Sequence, residues 1–423
     1  MLRRSRTIAV SGVLALLLGG LILASPQASA QAASLNIQVS QPFAVGKNCN
    51  QETFQGCRSG ESMRFLAPTL KVHKGDTLTF DFASFHTASL LPVGQDFLAF
   101  RAASTGGVGK AFSLLIPDPD DTTAEGAAAD KPAVKANPAV ALPSVGGVPA
   151  TCGAADNPCD YDGSAVVNSG LPLAPPPVTF SVTVDANPGE SFWVICFVHT
   201  HMNLRVNVVA ASEAATTQAE VDAAKTTQTA FDLEWAEATD AELIKGQSSH
   251  TTASGQKVYD VSVGKDSHWA NLNGFYPART EIPKGATVRY HFSSLVYEDH
   301  TVTMPTPSAF SLFDEFFVPQ CDPDTDSGPG PDNSGDPAAP DPGNPCPDPS
   351  QNEIDISSRV FWGTGNGTFS GASDLEHSGL RGAQFANNYM DVKFSARSKA
   401  KGWRYICMLH PMQGRIVVTP TLQ

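Results

Sequence analysis

The sequence predicts a mainly β protein: two tandem antiparallel β-sandwiches joined by a helical linker, each interrupted by a long loop insertion. Three observations predict it. The run Phe65 to Phe80, with apolar and polar residues alternating around Lys74-Gly75, returns 210 residues later as Phe275 to Tyr290 around Lys284-Gly285. Alternation at period two marks strands with one buried face, and Lys-Gly between them marks a hairpin in which Gly takes a positive φ. The fragments Val182-Thr183-Val184 and Val392-Lys393-Phe394 keep the same offset, and Cys196 and Cys407 stand 211 residues apart on short apolar runs. A repeat of this period spans a whole domain.

The first thirty residues belong to neither copy. Arg3, Arg4 and Arg6 precede an apolar run from Ile8 to Ala24, and Ala28-Ser29-Ala30 supplies small residues for cleavage, so residues 1–30 read as a signal peptide. The alternative is an uncleaved anchor. Arg3-Arg4 hints at twin-arginine export, and no Cys near the cleavage site could carry a lipid. The expected location is therefore outside the cytoplasm: secreted, periplasmic or at the cell surface. No later stretch is apolar enough to span a membrane.

Residues 34–211 form the first predicted domain, with strands from 34 to 80 broken by a loop at Cys49 to Gly60. Its insertion, 117–177, is rich in Ala, Pro, Asp and Gly and has too little periodic apolar content for a core. Residues 212–246 change character. Thr217-x-x-Glu220 and Thr239-x-x-Glu242 are capping-box patterns and Gly246 could end a last turn, so one or two helices are expected there. Phe231, Leu233, Trp235, Leu243 and Ile244 give this linker a face to bury. The second domain, 255–423, carries an Asp-, Pro- and Gly-rich insertion at 318–350. Asp322-x-Asp324-x-Asp326 there resembles a calcium loop, but Ser327 stands where Gly is needed and no Glu closes it, so it reads as a solvated acidic loop.

Of the 28 Lys and Arg, three lie in the leader, leaving 25 against 42 acidic residues and a formal charge of −17. That excess argues against nucleic acid as a partner and suits a basic redox partner protein. The oligomeric state is left open. Eight cysteines divide into Cys196 and Cys407 and three local pairs, Cys49 with Cys57, Cys152 with Cys159, and Cys321 with Cys346. An exported chain can keep such pairs oxidised.

The chemistry lies in the closing strands. Cys407-Met408-Leu409-His410-Pro411-Met412 places a thiol, an imidazole and a thioether within six residues, and Cys196-Phe197-Val198-His199-Thr200-His201-Met202 repeats the set. Thiolate and imidazole with a weak axial thioether select copper in its electron-transfer form, and a second His must come from elsewhere. His86 and His300 are the upstream candidates. A lone Cys would read as a buried structural thiol. Two Cys-x-x-His repeats, each with a following Met and a preceding His, reverse that reading. Strand pleat puts Val194 and Tyr405 on the same face as each Cys, so both thiols should point into their sandwiches.

At these residues the chain resembles the cupredoxins, the blue copper proteins of the plastocyanin and amicyanin type. The resemblance covers roughly residues 62–90, 178–210, 257–304 and 388–420. It implies Greek-key sandwiches and two type-1 copper sites, one held by His86, Cys196, His199 and Met202, the other by His300, Cys407, His410 and Met412. The loop from His410 to Met412 is one residue shorter than its counterpart, so Gln413, six residues after Cys407, is an alternative axial ligand. By resemblance, His199 and His410 would be surface electron ports within apolar patches of Phe197, Val198, Met408, Leu409 and Pro411.

The function so implied is one-electron transfer by a carrier without substrate chemistry of its own. A copper-buffering or delivery protein is the rival reading, and a copper oxidase or a nitrite reductase with a centre at a subunit interface is another. The His-Thr-His at 199–201 invites comparison with multicopper oxidases. Those need four such pairs, however, and this chain has ten histidines in all. His201 is accordingly expected to be solvated or to deliver copper. His73, His250, His268, His291 and His377 are given no function.

Overall fold

The alternation seen in the sequence becomes burial in the structure, a computed structural model describing residues 32–46, 58–117, 134–173, 178–246, 248–293, 298–313, 318–321, 352–381 and 388–420. The leader, the Cys49 and Cys57 pair, Cys346, the side chain of Cys321 and the Asp322 to Gly328 stretch lie outside the described residues. The first half is built on β1 (Ser34–Val45), β2 (Arg58–Leu66), β3 (Leu70–Val72), β4 (Thr77–Phe82), β5 (Ser89–Leu90), β6 (Val178–Val184), β7 (Ser191–Ile195) and β8 (Asn203–Val208). After helix α1 (Gln218–Leu243), the second half repeats the series. Its strands are β9 (Lys257–Asp266), β10 (Ala270–Tyr276), β11 (Arg279–Pro283), β12 (Thr287–Phe292), β13 (Thr303–Met304), β14 (Tyr389–Phe394), β15 (Trp403–Ile406) and β16 (Gln413–Thr419).

The fold is mainly β, with a sandwich of two sheets in each half. In β4 the residues Leu78, Phe80 and Phe82 face the first core, and in β12 Val288, Tyr290 and Phe292 face the second. Each such side chain contributes roughly 1.5–3 kcal/mol relative to exposure. Among the strands named, β1 with β4 and β3 with β8 run parallel in the first half, and β9 with β12 and β11 with β16 in the second. Gly75 (φ +93°) and Gly285 (φ +88°) take the positive φ expected of them. The Lys-Gly turns, however, are corners and not hairpins: β3 and β4, like β11 and β12, lie in different sheets.

Across the halves, β2 pairs antiparallel with β10, Glu61 opposite Asn271 and Gly60 opposite Leu272. One eleven-stranded sheet therefore runs through both cores, in the order β6-β4-β1-β2-β10-β9-β12-β14 with a short strand at each end and Ser249–Thr251 paired to β9. Each half closes its sandwich with a separate sheet, β3-β8-β7-β5 in the first and β11-β16-β15-β13 in the second.

Helix α1 lies on this seam. Thr217 and Glu220 form the capping box, whereas Thr239 and Glu242 sit inside the single helix and cap nothing. Leu233, Trp235 and Leu243 pack on Phe43, Leu272 and Tyr276, while Phe231 and Ile244, expected to be buried, are exposed. Asp232 accepts two 2.8 Å hydrogen bonds from Arg64, and Asp240 accepts from Arg58 and from the Tyr276 hydroxyl. The described residues in and beside the insertions hold more regular structure than their composition implies. Leu115–Pro117 and Val134–Ala136 from the first half form a four-stranded sheet with Val318–Cys321 and Asn352–Ile356 from the second. Leu115, Val134, Ile356 and Phe361 bury together beneath it. Cys152 and Cys159 form the expected disulfide.

Candidate metal centres

Each centre is assembled from two places in the chain. In the first half, His86 sits in the loop between β4 and β5, and Cys196 follows directly on β7. The Cys196 N–H donates to the Met202 carbonyl (3.2 Å) and the Met202 N–H to the His199 carbonyl (2.9 Å), which folds the Cys-to-Met loop back on itself. Cys196 Sγ then lies 3.8 Å from His86 Nδ1 and 3.9 Å from His199 Nδ1, with the two Nδ1 atoms 2.8 Å apart.

The second half repeats the device. Cys407 N–H donates to Met412 O (3.2 Å) and Met412 N–H to His410 O (2.6 Å). Cys407 Sγ is 3.6 Å from His410 Nδ1, and the donor atoms of His300, Cys407 and His410 all lie within 4.8 Å of one another. The imidazole pairs match: His86 and His199 have centroids 4.6 Å apart at 64°, His300 and His410 4.9 Å apart at 61°. Both ring nitrogens of His300 are buried and meet no hydrogen-bond partner. A buried polar atom is costly unless something pairs with it, and a metal ion at the convergence point of three soft donors would do so.

Strand register settles the shortened loop. Ile195 pairs with Asn203 and Ile406 with Gln413, so Met412, not Gln413, is the counterpart of Met202. Met202 and Met412 are buried with Cys196 and Cys407 respectively, whereas Gln413 is exposed.

Around each thiol stands a threonine that the sequence analysis did not single out. Thr87 and Thr301, each directly after the upstream His, donate a backbone N–H to Cys196 Sγ and Cys407 Sγ, both at 3.3 Å. Their hydroxyls accept from the N–H of Phe197 (2.8 Å) and Met408 (2.7 Å). The repeated His-Thr pair was the signal available for finding them.

Two carboxylates were also missed. Glu61 accepts from His86 Nε2, and Glu298 lies between the halves, 3.1 Å from His199 Nε2 and 3.0 Å from His410 Nε2. Both Nε2 atoms of the first centre and that of His410 are thereby engaged, leaving Nδ1 to face the thiols. Burial pushes both thiols up, but the imidazoles of His199 and His86, and of His300 and His410, outweigh it and hold them well below the usual range. Burial likewise pulls the imidazoles of His86, His199 and His410 down, yet the Glu61 charge lifts His86 to about 9 and Glu298 lifts His199 and His410 well above their ordinary value. The result favours a thiolate before any metal arrives.

His199 is buried and His410 half-buried, and the two face each other across Glu298. Of the apolar residues expected around them Phe197 and Met408 are buried, Phe197 stacking on Phe112 at 4.9 Å, while Pro411 is exposed. His201 is not solvated either. It is buried, with its ring 5.9 Å from that of His268. Among the unassigned histidines, His250 and His291 both contact Asp260, and His377 is buried against Thr303 and the Val360 carbonyl.

No protein-family model and no curated protein matches the chain. Solved structures do. One is the multicopper oxidase mgLAC, at 10% identity and a TM-score of 0.16, covering 65% of this chain and 65% of its own. Another is the copper-containing nitrite reductase of Thermus scotoductus SA-01, at 14% identity and a TM-score of 0.17, covering 92% of this chain and 68% of its own. A third is the blue copper oxidase of Nitrosomonas europaea, at 9% identity and a TM-score of 0.16, covering 86% of each. The chain thus spans about two thirds of mgLAC. All three are named as enzymes, against the expectation of a carrier without substrate chemistry. No helix among the described residues is long and apolar enough to cross a membrane.

Proposed function

We propose that this is an exported copper redox protein that moves single electrons through two mononuclear cysteine-liganded centres. His86, Cys196, His199 and Met202 would hold one copper, and His300, Cys407, His410 and Met412 would hold the other. The observation that carries this reading is the recurrence of one geometry in both halves, from the imidazole pair to the 3.3 Å amide on each sulfur. Bound copper would supply a one-electron couple, and the chain keeps its surroundings fixed between oxidation states. The paired backbone hydrogen bonds of each loop, the threonine amides and the buried methionines do this. A basic protein is the partner that the charge of −17 suits.

The test is copper loading of the purified mature chain. Two coppers per chain and an intense thiolate-to-copper band, bleached reversibly by reductant, are expected. Cys196→Ser and Cys407→Ser should each remove one copper's share, and retention of both coppers in both variants would sink the assignment. Oxygen and nitrite consumption by the same preparation, measured with a reductant present, decides whether the electrons leave to a small substrate or to a partner protein.

A further inference from the structure

We propose that Glu298 joins the two centres into one unit, with an internal electron path running from His199 through Glu298 to His410. This rests on the reading of both groups as copper centres and goes beyond it.

Three features carry the proposal. Glu298 accepts from an imidazole of each half, His199 Nε2 at 3.1 Å and His410 Nε2 at 3.0 Å, so one carboxylate orients a ligand of both centres. It is 8% exposed, and Asn271 Nδ2 donates to its Oε2 at 3.3 Å. Asn271 also accepts from the Glu61 N–H at 2.9 Å across the β2–β10 seam, which ties the bridge to the carboxylate behind His86. The seam is continuous sheet, so the two imidazoles are held at a fixed separation and are not brought together by a hinge. Placing the second-His side of each centre against the other makes exchange between centres a built-in property of the chain.

The step balances internally. One electron leaves one centre, oxidised by one unit, and enters the other, reduced by one unit, while both Nε2 protons stay on their rings. No outside oxidant or reductant takes part.

The test uses the full mature chain and compares E298Q with E61Q, because Glu61 touches the first centre only. Loss of a residue that orients a metal-bound His costs about 10–100-fold in metal affinity. Copper titration should therefore show both centres of E298Q weakened by about tenfold or more, and only the first centre of E61Q. Redox titration should show both potentials raised in E298Q, since a negative charge that favours the oxidised ion is gone. After a one-electron reducing pulse, the redistribution phase that is independent of protein concentration should be present in the wild type and slowed in E298Q. Unchanged affinities, effects confined to one centre, or an unslowed redistribution would overturn the bridge. Should E298Q fail to fold, E298D keeps the charge on a side chain too short to reach both rings, and an unslowed redistribution there overturns it equally. A wild-type chain that binds no copper at Cys196 and Cys407 would instead refute the copper reading itself.

Discussion

The Thr87 amide points at Cys196 Sγ from 3.3 Å while its hydroxyl accepts the Phe197 N–H, so one threonine closes both sides of the thiol. Thr87→Val removes only the hydroxyl and leaves the buried Phe197 N–H unpaired. Denaturant unfolding should show a loss of about 1–3 kcal/mol, with the amide to sulfur contact kept. The first copper's absorption band should shift and that of the second should not.

Met412 is buried beside Cys407 and Gln413 is exposed. Met412→Ala is therefore expected to change the band and potential of the second centre. Gln413→Ala should leave both unchanged, and redox titration of the two variants separates the residues.

Gly264 sits in the β9 bulge at φ +63°, and a Cβ there would lie 2.2 Å from His300 Nε2. Gly264→Ala must displace that ring, and overpacking of this kind costs about 1–3 kcal/mol. Metal analysis should give one copper per chain, retained at the first centre.

Asp232 is buried under the guanidinium of Arg64. Asp232→Ala leaves a largely buried cation without its carboxylate, which should destabilise the chain by about 3 kcal/mol. Urea unfolding measures it, and Arg64→Met combined with Asp232→Leu should recover much of the loss.

Burial holds His377 down to about 4 from an ordinary 6.5, assisted by the charges of Arg381 and Arg359. Between these values the unfolded chain binds the proton and the native chain does not. The stability contributed by the neutral ring is full above pH 6.5 and is lost as the pH falls through 4, by about 3 kcal/mol in all. Urea midpoints of the metal-free chain at pH 7 and 4.5 should differ accordingly, and less so in His377→Gln.

The sequence made the repeated centres legible because their chemistry is local: Cys-x-x-His and the following Met lie within one loop, and the upstream His sits at a matching place in each copy. It did not disclose Glu298. In the first copy the corresponding place, two residues before the upstream His, holds Ser84, so the repeat pattern offered no signal. The role of Glu298 arises from the pairing of β2 with β10, a contact between distant strands that leaves no periodic trace. The small sheet within the insertions was hidden for a related reason. Its strands are three to five residues long, too short for alternation to register, and it needs segments from both copies. The supposed ports were misplaced because the resemblance is to single-domain proteins, in which that imidazole has no second domain to face.

The β2–β10 pairing also bears on how the chain could be divided. Expressed alone, either half would present a bare strand edge with a row of unpaired amides and carbonyls, an invitation to stick to its own copies. Fusing two copies in one polypeptide replaces that concentration-dependent encounter with a built-in one.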